Sequence, residues 1–177
     1  VHVYSGPQAP RVRNRWSGTT YLWHQMLAQK GYVIWMCDNR SASYRGLDKA
    51  YPIYRDLGRR ELEDIEDGLT WLKKKSWIDG ARIGIWGWSG GGQMSLHCIF
   101  RHGDVFKTAI AIAFVSHQAL YDNIYQERYM GLPQENREDF INGSPMTHAK
   151  NLRGNLLYIH GTGEIYLNSD ILKKKTG

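Results

Sequence analysis

The chain has 177 residues, 42% of them hydrophobic and 23% charged, with a formal net charge of +6. That size and balance describe one soluble globular domain with enough apolar material for a core. They exclude a membrane-spanning helix, because no run of about eighteen apolar residues occurs, and no basic-then-apolar leader opens the sequence, as expected of a chain that begins within a domain.

Val1-His2-Val3-Tyr4 reads as the end of a strand, closed by the turn signal Ser5-Gly6-Pro7 and followed by a basic loop to Arg15. Tyr21, Leu22, Gln25, Met26 and Ala28 give residues 18–30 a ragged helical face that Gly31 terminates. The continuous apolar run Tyr32-Val33-Ile34-Trp35-Met36-Cys37 predicts a strand buried on both faces. Residues 38–58 have no period and many turn formers, and so predict a long connection, a length that goes with a role in binding. The cleanest helix spans residues 59–76, where Leu62, Ile65, Leu69 and Leu72 fall on one face. After the turn Asp79-Gly80 comes an apolar strand that runs from Ile83 into Gly87-Trp88-Ser89-Gly90-Gly91, and a helical pattern continues through Phe100. A further strand lies within residues 105–114, a stretch with Tyr121, Tyr125 and Tyr129 follows, and residues 156–159 form the last strand, leading into His160-Gly161-Thr162.

Strands separated by helical segments make βαβ units, hence an α/β fold with a mostly parallel sheet and helices on both faces. Chemistry in such sheets gathers at the carboxyl ends of the strands. Tyr4, Asp38, Ser89, Val115 and Thr162 all fall just past such ends.

Charge points to no nucleic-acid partner. Lys73-Lys74-Lys75 ends a helix whose start carries Glu61, Glu63, Asp64, Glu66 and Asp67, an arrangement that complements the helix dipole, and Lys173-Lys174-Lys175 lies in an atypical basic tail over residues 165–177. Cys37 and Cys98 are too few for a metal site or disulfide framework and are expected as buried free thiols. No metal or cofactor is implied.

Gly-x-Ser-x-Gly between an apolar strand and a helix is the spacing of a nucleophile elbow. Its serine is held in a strained turn, and the flanking glycines let strand and helix pass closely. Ser89 is therefore the candidate nucleophile, and the Gly90 amide the natural first donor to an oxyanion. In α/β-hydrolases the acid follows the serine and the histidine follows the acid. Glu164, beyond His160-Gly161-Thr162-Gly163, is the candidate acid, yet His2, His24, His97, His102, His117, His148 and His160 all precede it. The triad histidine is thus absent from the chain. His97 and His102 are expected in core or surface roles on the helix after the elbow, and His160 is a weak alternative base.

The segments Asp38-Asn39-Arg40, Leu57-Gly58, Glu63-Asp64, residues 82–89 and Tyr121-Asp122-Asn123-Ile124-Tyr125-Gln126-Glu127-Arg128-Tyr129-Met130-Gly131-Leu132-Pro133 resemble the catalytic α/β-hydrolase domain of the dipeptidyl peptidase IV branch of the prolyl oligopeptidase serine peptidases. The tyrosine segment is the most specific of these. The resemblance implies a partial catalytic domain over residues 1–164, incomplete at its C-terminal end and lacking an N-terminal β-propeller. It implies that the Tyr4 hydroxyl is the second oxyanion donor and that Val115, Tyr121 and Tyr125 line a pocket for a substrate's penultimate proline or alanine. Gly90 stands where the family usually has tyrosine, and Gln118 where it usually has a pocket tryptophan. The activity so implied is serine exopeptidase release of N-terminal dipeptides, idle in this chain by itself. A periplasmic, secreted or cell-surface location and a homodimer of the full-length form are implied by analogy. A non-catalytic interaction protein of the same fold and a general esterase are the competing readings.

Overall fold

Ile83, Ile85 and Gly87 alternate with Gly84, Trp86 and Trp88, and the strand they form, β1 (Ile83–Trp88), buries the first set while the second is more exposed. The structure, a computed structural model, describes residues 1–161. Two parallel neighbours, β2 (Phe106–Ile112) and β3 (Asn155–Ile159), complete a sheet of order β1-β2-β3. Val1 to Val3 extend it beyond β1, with Val3 N–H donating to the Trp86 carbonyl at 3.0 Å and Trp86 N–H to that of Val1 at 3.0 Å.

Helices cover both faces. In chain order they are α1 (Thr19–Gln29), α2 (Leu47–Ala50), α3 (Arg60–Leu72) and α4 (Gly90–Arg101), then α5 (Asn123–Met130), α6 (Arg137–Asn142) and α7 (Pro145–His148). The predicted face of α3 is the one buried, and Leu62, Ile65, Leu69 and Leu72 join Leu96, Ile99 and Phe100 of α4 and Ile85, Ala109 and Ala111 of the sheet in one apolar cluster. Burying each large side chain there contributes about 2 kcal/mol. On the opposite face α1 meets the sheet through His24, whose ring stands edge-on to Trp86 at 5.8 Å while His2 stacks on Trp86 at 4.2 Å. Leu22 and Trp23 of α1 stay exposed at 59% and 43%. A ragged apolar face predicts burial poorly, because one deep contact suffices to seat the helix.

The strand expected over residues 32–37 does not form as a buried strand. That segment takes no regular structure and accepts one backbone bond, from His2 N–H to the Trp35 carbonyl at 3.0 Å, and Tyr32 is 62% exposed. A strand buried on both faces needs layers packed over both of them, and this run is exposed at Tyr32 and Val33 and only half-buried from Ile34 to Cys37. Of the two thiols Cys98 is buried and Cys37 half-buried, both unpaired.

The long connection is pinned rather than loose. Arg40 grips Asp64 with Nε at 3.0 Å and Nη2 at 2.6 Å, its own N–H donating to the same carboxylate at 2.6 Å. Further on, Arg55 N–H donates to the Tyr129 carbonyl at 2.7 Å, and Ile53 and Leu57 join Met130 and Phe140 in a second apolar cluster against which Tyr125 and Tyr129 pack. The connection thus builds the floor beneath the tyrosine segment.

Glu61, in the first turn of α3, is 1% exposed and accepts a bond from Gly58 N–H at 2.9 Å. Burial pushes its carboxyl up from 4.5 to about 7, against the pull of its backbone bonds. Because the folded value is the higher one, Glu61 contributes stability that is fully present below about pH 4.5 and lost as pH rises through about 7. His97 works the other way: burial lowers it from 6.5 to about 3, so its contribution is lost as pH falls through that window. Glu61→Gln keeps an acceptor for Gly58 and removes the buried charge. It is expected to raise stability at pH 8 by up to about 3 kcal/mol, with the gain gone below pH 4.5. Urea unfolding at pH 8 and pH 4 checks this, and equal gains at both would contradict it.

Candidate active site

Ser89 sits at the sharp turn between β1 and α4 with φ 57° and ψ −119°, a region that a residue with a Cβ occupies only under constraint. The constraint is visible. Ser89 N–H donates to the Ile112 carbonyl of β2 at 2.8 Å, and its own carbonyl accepts from Gln93 N–H at 3.0 Å. A Cβ on Gly87 would lie 2.4 Å from the Val3 carbonyl oxygen and 2.5 Å from the Gly91 carbonyl carbon, and one on Gly91 would lie 2.1 Å from the same Val3 oxygen. Strand, helix and N-terminal segment therefore converge here with no room for side chains.

The same convergence brings Tyr4 to the elbow. Its Cα would be 3.0 Å from a Cβ on Gly91, and its carbonyl oxygen 3.4 Å from one on Gly90. Gly90 opens α4, so its N–H belongs to the free, electropositive end of the helix. The Tyr4 ring is held from above by the Arg11 guanidinium at 4.1 Å, and Arg11 and Val12 are held through their N–H groups by Asp38, at 2.7 and 3.2 Å. Asp38 stood out in the sequence as a strand-end residue; Arg11 did not, since an arginine in a basic loop gives no local signal of a ring beneath it.

The tyrosines cluster. Tyr121 and Tyr125 meet edge to face at 5.2 Å, and Tyr125 and Tyr129 at 4.9 Å. Asp122 caps α5 by accepting from Tyr125 N–H at 2.9 Å. The Tyr125 hydroxyl is pushed well above the usual phenol range, first by burial and then by neighbouring Tyr129, Tyr4, Glu61 and Tyr121, so it stays a neutral donor. Tyr4 is thus close enough to Tyr125 to oppose its ionisation. Val115 is 7% exposed just past β2. Gln118, on a short 3-10 turn, is 1% exposed, and its amide is bonded to the Gly143 carbonyl and to Gln126.

No histidine is hydrogen-bonded to Ser89 among the described residues. His97 is buried and donates Nε2–H to the Gly143 carbonyl at 3.1 Å, and His148 donates to that of Asn142 at 2.9 Å. His117 Nδ1 accepts from Ala119 N–H at 3.1 Å, and His102 pairs with Glu66. His160 donates Nε2–H to the Phe114 carbonyl at 3.1 Å and stands edge-on to the Phe114 ring. Glu164 lies outside the described residues.

The profile of the prolyl oligopeptidase family matches residues 19–164. The chain belongs to that family. It is 38% identical over 165 residues to dipeptidyl peptidase 8 of Homo sapiens, covering 91% of this chain and 18% of the relative. Among solved structures it is similar to a putative dipeptidyl aminopeptidase IV from Bacteroides ovatus, with TM-score 0.92 and 33% identity over 99% of this chain and 25% of that one. It is likewise similar to Porphyromonas gingivalis dipeptidyl peptidase 4, with TM-score 0.91 and 36% identity over 98% of this chain and 25% of that one. The chain therefore spans about a fifth to a quarter of the length of these relatives. The elbow at Ser89 is accordingly read within a serine peptidase family, and the parallel sheet with helices on both faces is the α/β-hydrolase arrangement of these dipeptidyl peptidase neighbours.

Proposed function

We propose that this chain is the nucleophile-bearing part of a serine exopeptidase that removes an N-terminal dipeptide after proline or alanine. The observation that carries the reading is the convergence of the Tyr4 segment on the strained Ser89 turn, supported by the edge-to-face cluster of Tyr121, Tyr125 and Tyr129. Ser89 Oγ attacks the carbonyl carbon that follows the penultimate side chain and gives up its proton to a base. The oxyanion is held by Gly90 N–H and the Tyr4 hydroxyl, the amine leaves protonated, and water then cleaves the acyl-enzyme. The apolar ring of proline suits a pocket walled by Tyr121, Tyr125 and Val115. In this reading Glu164 orients the base, and the substrate's amino terminus is held by the β-propeller that the resemblance implies. The 177-residue chain by itself is expected to be idle, since its described histidines are engaged away from Ser89.

The test compares Gly-Pro, Gly-Ala and Gly-Leu chromogenic dipeptides with short acyl esters, using the complete product of the gene. Preferential turnover of Gly-Pro and Gly-Ala supports the reading. Ester hydrolysis without dipeptide release would replace it with a general esterase, and no serine-directed labelling at all would point to a non-catalytic protein.

A further inference from the structure

Of the tyrosines that the proposed pocket needs, Tyr125 stands on α5 and Tyr121 just before it, and α5 is a helix of 8 residues, too short to hold its own position in water. Its C-terminal end is anchored by Met130, 0% exposed in the second apolar cluster. Its middle is anchored by a polar group. Gln126, which directly follows Tyr125, is 4% exposed and donates Nε2–H to Gln118 Oε1 at 2.8 Å. Gln118 in turn donates Nε2–H to the Gly143 carbonyl at 2.9 Å, and that same carbonyl accepts from His97 Nε2–H of α4 at 3.1 Å. Ser144 closes the group: its Oγ accepts from Gln118 N–H at 2.8 Å and donates to the Phe140 carbonyl at 2.5 Å.

We infer that the buried strut Gln126–Gln118–Gly143–His97 sets the tyrosine helix against the nucleophile helix, making Gln118 and Gln126 positioning residues for the pocket. This rests on the dipeptidyl-peptidase reading above for what the pocket binds, but not for the strut itself. The physical argument is directional. Apolar contacts such as that of Met130 hold a helix down without fixing its rotation, because dispersion and burial are insensitive to small turns about the axis. A chain of hydrogen bonds near 3 Å is not so tolerant. Burying amides is costly unless they are paired, and Gln126 Oε1 is left without a partner, so the pair is not a device for stability alone. What it does supply is a fixed relation between Tyr125 and the helix that begins after Ser89. A tryptophan at position 118, as the resemblance implies for the family, would wall a pocket by its bulk; glutamine there reaches across to Gln126 instead.

Gln126→Met keeps the length and volume of the side chain, removes the strut and also removes the unpaired oxygen, so the fold is expected to survive. Gln118→Met breaks the same bond from its other end and also gives up the bond to the Gly143 carbonyl. Two readouts are taken on the complete gene product. Amide hydrogen exchange over Asn123–Met130 is expected to quicken by roughly tenfold in each variant while that of α4 is unchanged. With Gly-Pro chromogenic substrate KM is expected to rise about fivefold or more with kcat within about twofold, because the pocket and not the nucleophile is displaced. The double variant is expected to match Gln118→Met alone, as members of one unit do. Unchanged exchange in α5, additive effects in the double variant, or a fall in kcat at constant KM would each overturn the inference. If the parent protein releases no dipeptide, the functional reading fails, and exchange with the double-variant comparison still decides the strut.

Discussion

In the complete product of the gene, Ser89→Ala is expected to abolish dipeptide release while leaving thermal unfolding unchanged. The chemical loss follows from the role: without the hydroxyl there is no acyl-enzyme, and removal of a triad nucleophile costs on the order of 10⁴ to 10⁶ in turnover. The structural neutrality follows from the geometry. Ser89 makes no side-chain bond to cap α4, and its φ of 57° burdens alanine as much as serine because both carry a Cβ. The backbone bond from Ser89 N–H to the Ile112 carbonyl is untouched by the change. Release of p-nitroaniline from a Gly-Pro substrate, measured beside a melting curve, checks both halves. Full turnover by the variant would remove Ser89 from the chemistry, and a large fall in melting temperature would mean that its hydroxyl is structural.

Gly91→Ala is expected to destabilise the fold by about 3 kcal/mol or more, a large fraction of a typical domain's stability. The added Cβ would lie 2.1 Å from the Val3 carbonyl oxygen and 3.0 Å from the Tyr4 Cα, and both are backbone atoms that cannot rotate away. Relief requires the N-terminal segment to lift from the elbow, which would also take Tyr4 from Gly90. Gly90→Ala is the matched control: its Cβ would meet nothing nearer than 3.4 Å, and alanine in the first turn of α4 is expected to be neutral or to stabilise by about 0.5 kcal/mol. Denaturant midpoints of the two variants should therefore shift by very different amounts. Equal midpoints would show that the segment carrying Tyr4 does not press on the elbow.

Which elements could be read from the sequence depended on how local their cause is. The face Leu62, Ile65, Leu69, Leu72 announces α3 because one helix's period is enough to declare it, and the apolar runs of β1, β2 and β3 do the same. The run at residues 32–37 is as apolar, yet stays half-exposed, because burial depends on neighbours the run cannot encode. The helices α5, α6 and α7 have weak periods and are held by Met130, Phe140 and bonds such as Asn136 Nδ2–H to the Met130 carbonyl at 2.7 Å, so only the tyrosines stood out. Gln126 gave no signal, and Gln118 did so only by departing from the family's tryptophan.

The sequence alone determined the turn at Ser89 and marked that serine as the candidate nucleophile, since Gly-x-Ser-x-Gly between an apolar strand and a helix leaves the backbone few ways to fold. It also determined the family, through the tyrosine segment. The tertiary structure decided what surrounds that serine. The Val3 carbonyl pressed on Gly87 and Gly91, Asp38 holding Arg11 over the Tyr4 ring, and His97 sharing the Gly143 carbonyl with Gln118 all join residues distant along the chain. Such contacts arise from the closing of the sheet and the packing of helices upon it, and no local pattern carries them.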